Sequence, residues 1–76
     1  MELTIDCTLP MEDIHNRFAE ALDFPWWYGK NLDALYDLLT ALSADVTITL
    51  LNPELQPALV RVLTDAAEEN PHLTLG

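Results

Sequence analysis

Apolar and polar residues alternate over Leu3-Thr4-Ile5-Asp6-Cys7 and again over Val46-Thr47-Ile48-Thr49-Leu50. A period of two puts successive side chains on opposite faces of a strand. Between the two runs the period changes. Met11, Ile14, Phe18, Ala21 and Leu22 recur at helical spacing, and so do Leu32, Leu35, Leu38, Leu39 and Leu42. Strands separated by helical stretches cannot close as hairpins, so they pair in parallel through crossovers. A third helical stretch follows, with Leu55, Leu59, Val62, Leu63 and Ala66 as its apolar face. His72-Leu73-Thr74-Leu75 alternates once more and reads as a final edge strand. The order is strand, helix, helix, strand, helix, strand. It predicts one α/β domain over residues 1–76, with a three-stranded parallel sheet and three helices packed against it.

Local punctuation supports these limits. Pro10 suits the first turn of a helix, with Thr8 as its cap and Glu12 and Asp13 complementing the helix N-terminus. Phe24 precedes Pro25 and so ends that helix. Gly29 supplies a backbone turn, and Asn31 is a good N-cap for the second helix. Asn52-Pro53 ends the second strand, Pro57 falls near the start of the third helix, and Asn70-Pro71 stops it.

Charge narrows the partners. Thirteen acids stand against three bases, Arg17, Lys30 and Arg61, for a formal charge of −10. Phosphate contacts need Lys and Arg, so nucleic acid and anionic membrane are disfavoured. A basic partner is favoured, and long-range attraction accelerates its approach. Solubility alone asks for a magnitude of only about 2–8 in a small domain. Half the residues are apolar, enough for a core. The single cysteine, Cys7, excludes an internal disulfide and reads as a small buried hydrophobe. No metal spacing or phosphate loop occurs, and no cofactor is expected. The N-terminus lacks a basic n-region and no run is long enough to span a membrane. A cytoplasmic protein, monomeric in the free state, is expected.

The stretch from Pro25 to Thr40 carries the functional signal. Asp33 and Asp37 are four apart on a helix and project from one face. The opposite face is leucine. Ahead of them stand Trp26, Trp27 and Tyr28, which cannot all hide in a core of this size. Trp27 is expected as the exposed anchor, since Trp dominates interface hot spots. Trp26 and Tyr28 suit the edge of the core, with Tyr28 also carried as Trp27's neighbour at the interface.

The run Pro-Trp-Trp-Tyr-Gly-Lys-Asn-Leu-Asp-Ala-Leu-Tyr-Asp-Leu-Leu-Thr resembles the signature of the barstar family, intracellular inhibitors of barnase-like ribonucleases. Asn31, Leu32, Asp33, Ala34, Leu35 and Asp37 match outright, the element order matches along the chain, and His15 looks like a family position. The resemblance implies a proteinaceous ribonuclease inhibitor of bacterial type, an immunity protein or antitoxin and not an enzyme. Its partner would be a basic extracellular-type ribonuclease or nuclease toxin. By motif, Asp37 would replace the substrate phosphate and Asp33 would meet the basic, guanine-recognising region. Trp27 would pack on a catalytic histidine, with Tyr28 beside it. Gly29 and Asn31 would contribute through backbone and side chain, with Tyr36 and Thr40 at the rim. Asp65 on the last helix would add a further acid. Lys30 departs from the pattern, placing a base where family members carry an acid. The Asn52–Pro57 segment is shorter than in the family, so a fourth, short helix there is reduced or absent.

Blander and rival readings exist for each feature. Asp33 could serve only the helix dipole, worth about 0.3–1 kcal/mol, and Asp65, Glu68 and Glu69 form a solvated face. A Cys7–His15–Asn16 nucleophile set has nothing to activate its thiol. The alternative from another class is an acidic interaction module, or an immunity protein for a basic partner that is not a nuclease.

Overall fold

A computed structural model describes all residues from Met1 to Gly76. Strand β1 spans Glu2–Asp6, helix α1 Met11–Leu22, helix α2 Leu32–Thr40, strand β2 Val46–Leu51, helix α3 Pro57–Glu69 and strand β3 Leu73–Leu75. The expected order and the parallel pairing are both present. A single 3-10 turn, Pro53–Leu55, stands where the sequence leaves room for a reduced fourth helix. Leu55, expected on the apolar face of α3, lies in that turn and is exposed. Pro57 resets the chain, and α3 starts there with Leu59, Leu63 and Ala66 buried.

The sheet order is β1-β2-β3 with β2 central. Leu3 faces Ile48, Ile5 faces Leu50, and Val46 faces Leu73. These side chains point into the core. The intervening residues form the other face, where Thr4 pairs with Thr49 and Thr47 with Thr74. Two crossovers of the same hand, stepping the same way across a sheet, put every helix on one side. Burial follows that arrangement: Leu3, Ile5, Val46, Ile48 and Leu73 are buried, whereas Thr4, Thr49 and Thr74 are exposed. Alternation along each strand is therefore the mark of a sheet covered on one face only.

The core gathers Ile14 and Phe18 of α1, Leu35 and Leu39 of α2, and Leu59 and Leu63 of α3 over the sheet's apolar face. Cys7 is buried among them, and burial raises its thiol pKa above the ordinary value. Helix α2 packs along α3. No helix is long and apolar enough to cross a membrane.

Two local expectations are corrected. Thr8 does not cap α1. Its N–H and hydroxyl both donate to Asp6 Oδ1, at 3.0 and 2.7 Å, closing a tight turn after β1. Pro10 itself takes the N-cap position, without a side-chain bond. The left-handed residue of the loop before α2 is Lys30, at φ 48°, and not Gly29.

Candidate functional site: an acidic helix behind an aromatic turn

The site begins at Pro25. Its carbonyl accepts a bond from the Tyr28 N–H at 3.0 Å, closing a β-turn with Trp26 and Trp27 at the central positions. Central turn residues point away from the chain's return path. Trp26 is accordingly 95% exposed and Trp27 63%. Tyr28 turns inward and is only 7% exposed. Its ring packs edge-on against Phe24, centroids 5.0 Å apart, and against His15 at 5.7 Å. Its hydroxyl is hydrogen-bonded to His15 Nδ1 at 2.6 Å. Burial raises the Tyr28 pKa to about 12. Burial also lowers that of His15, and the charge of Lys30 adds to the lowering. Both shifts keep the pair uncharged.

The aromatic triplet is thus divided differently from the sequence expectation. Trp27 is exposed as foreseen. Trp26 does not tuck over the core edge, because the turn carries it outward. Tyr28, expected at the core edge and also beside Trp27 at the interface, has a buried side chain that anchors the turn to α1. The position-by-position pattern of the loop could not separate these roles. Only the partner of the Tyr28 hydroxyl, thirteen residues earlier in sequence, does so.

Gly29 and Asn31 form the joint between turn and helix. Asn31 Oδ1 accepts from the Ala34 N–H at 2.8 Å, the N-cap that its position suggests. Its Nδ2 donates to the Gly29 carbonyl at 3.3 Å. A Cβ at Gly29 would stand 3.0 Å from that Nδ2, a tight approach that would push the Asn31 amide aside by a few tenths of an ångström. The Asn31 amide is consequently committed at both ends to the joint.

On α2, Leu35 and Leu39 are buried, while Asp33 and Asp37 are exposed on the outer face. Neither carboxylate has an ion-pair partner. The one ion pair in the chain joins Asp45 to His72 at 2.9 Å, away from this helix. Tyr36 is half-buried at the edge of that face. Thr40, also half-buried, turns its hydroxyl back toward the Tyr36 and Asp37 carbonyls, 3.0 Å from each. Asp65 is exposed on α3. No group of three or more His, Cys, Asp or Glu is placed to hold a metal ion.

Asn70 plays a part that its position as a helix stop did not signal. It is buried, and its Nδ2 donates to the Leu39 and Leu42 carbonyls at 2.9 and 3.0 Å. Its Oδ1 accepts from the His72 N–H. The C-terminal end of α2 is thereby fixed to the α3–β3 corner.

These features describe a small acidic α/β protein that holds one carboxylate-bearing helix and one hydrogen-bonded tryptophan turn at its surface. The chain belongs to the Barstar (barnase inhibitor) family, whose sequence profile matches residues 2–74. It is similar to a Bacillus subtilis (strain 168) protein named "Putative ribonuclease inhibitor YrdF", 46% identical over 41 residues. That match takes in 54% of this chain and 44% of the relative, so less than half of the relative's length is spanned.

Proposed function

We propose that this chain is an inhibitor of a ribonuclease with a basic active site. The observation that carries the reading is the pair of exposed carboxylates on α2, neither matched by an internal cation, in a chain of charge −10. A site that binds RNA gathers Arg, Lys and His. A carboxylate can satisfy them as a phosphate does, through charge-assisted hydrogen bonds. Asp37 takes the phosphate's place, Asp33 meets the neighbouring basic region, and Trp27 stacks on the enzyme's catalytic surface. Asp65 contributes an outer acid. Holding these groups on a capped helix and a closed turn lowers the ordering cost of association. The chain supplies no catalytic step of its own.

The test is direct. Mixed with a panel of guanyl-specific ribonucleases, barnase among them, the protein should abolish RNA cleavage by at least one. Asp37→Ala should keep the fold and weaken the complex by about 2–5 kcal/mol, the general range for truncating one side of a buried charge pair. Full affinity in that variant would remove the phosphate-mimic role. Binding to none of the panel would remove the inhibitor reading.

A further inference from the structure

Two residues of the site are left over by the phosphate-mimic reading: Lys30 and Trp26. Three non-glycine residues have positive φ: Asp23 at 55°, Lys30 at 48° and Asn52 at 55°. Aspartate and asparagine are the types that tolerate the left-handed region, through local side-chain hydrogen bonding. Lysine has no such compensation, and Gly, Asn or Asp would suit the position better. Lys30 is also exposed and forms no ion pair, although Asp33 lies three residues on. It is a strained, unpartnered cation beside the carboxylates that face a basic cleft. Against a uniformly basic partner it would only repel.

Trp26 is the other excess. It is the most exposed large apolar side chain in the protein, at the tip of a hydrogen-bonded turn. It contributes nothing to the core. The backbone that carries it is set by the Pro25–Tyr28 bond and by the Tyr28–His15 anchor. A fully wet indole on a closed turn loses its hydration only when a partner covers it.

We infer that Lys30 and Trp26 are the specificity contacts of this inhibitor. The nuclease it recognises carries a carboxylate at the rim of its basic cleft, placed to pair with Lys30, and an apolar recess beside it that receives the Trp26 indole. Complementarity of this kind excludes nucleases whose rim is basic or flat, because they would face an unpaired ammonium and an uncovered tryptophan. The inference rests on the inhibitor reading and deepens it.

The experiment measures affinity and on- and off-rates for the wild type, Lys30→Gly, Lys30→Glu, Trp26→Ala and Asp37→Ala against the same ribonuclease panel, with thermal midpoints of each free protein. For a nuclease that the wild type binds, Lys30→Gly should lose about tenfold in affinity or more while its thermal midpoint holds or rises, since glycine suits the backbone. Trp26→Ala should lose about tenfold or more, chiefly through faster dissociation. Lys30→Glu should lose more than Lys30→Gly. Changing each rim carboxylate of that nuclease to lysine in turn should restore Lys30→Glu binding at one position. Unchanged or tighter binding by Lys30→Gly and Lys30→Glu, or restoration by no rim change, overturns the pairing. Unchanged binding by Trp26→Ala overturns the recess. In either case loss of binding in Asp37→Ala leaves the inhibitor reading standing. A wild type that binds no nuclease removes both.

Discussion

Trp27 and Tyr28 are neighbours in the chain and opposites in the fold. The first is exposed at the turn tip. The second is buried with its hydroxyl on His15. That buried pair gives stability a pH dependence with a definite sign. Folding holds the His15 pKa below 6.5. The unfolded chain then binds the proton more readily, so stability is complete above pH 6.5 and declines as pH falls from there towards the folded value. Tyr28 acts in the opposite direction. Its pKa rises from 10.0 to about 12, so stability is lost as pH rises through that interval. Urea midpoints measured from pH 5 to 11.5 should fall at both ends. His15→Gln should flatten the acid limb and Tyr28→Phe should lessen the alkaline one, to which the buried Cys7 thiol also contributes, each against a lower plateau. An acid limb that is equally steep in His15→Gln would place the proton elsewhere.

At the scale of the element, α2 is a nine-residue helix, too short to hold itself. Its leucine face supplies burial, and an asparagine secures each end. Asn31 caps the N-terminus three residues from its target, so its role is legible in sequence. Asn70 secures the C-terminus from 28 and 31 residues away, so its role is not. Removing the Asn70 amide deletes its bonds to the buried Leu39 carbonyl, to the part-buried Leu42 carbonyl and from the His72 N–H. Asn70→Ala should cost about 1–3 kcal/mol in unfolding free energy. It should also speed hydrogen exchange in the last turn of α2 more than in the first. Stability within a few tenths of wild type would show that water replaces the amide without loss.

For the whole molecule, net charge and the one-sided sheet matter most. At −10 the chain attracts a basic partner beyond contact range, and salt weakens that attraction over a Debye length of roughly 8–10 Å. Association with a bound nuclease should slow markedly between low and physiological salt, with dissociation changing less. A salt-independent on-rate would show that local contacts alone govern the encounter. The sheet's second face, the paired threonines, stays open to solvent because all three helices occupy the other side.

Sequence by itself determined the element order, the parallel sheet, the leucine and aspartate faces of α2 and the Asn31 cap. Each rests on periodicity or on contacts within a turn of the chain, which neighbouring residues encode. Tertiary structure decided which aromatics of the Trp26-Trp27-Tyr28 triplet face solvent, that Lys30 and not Gly29 takes the left-handed conformation, and that Asn70 holds α2. Those outcomes depend on groups distant in sequence, or on how a turn closes over the core. A residue's type and its neighbours do not contain that information. The helix that displays Asp33 and Asp37 is therefore legible in the sequence, while the way it is held, and the outward turn that exposes Trp26, come from the fold.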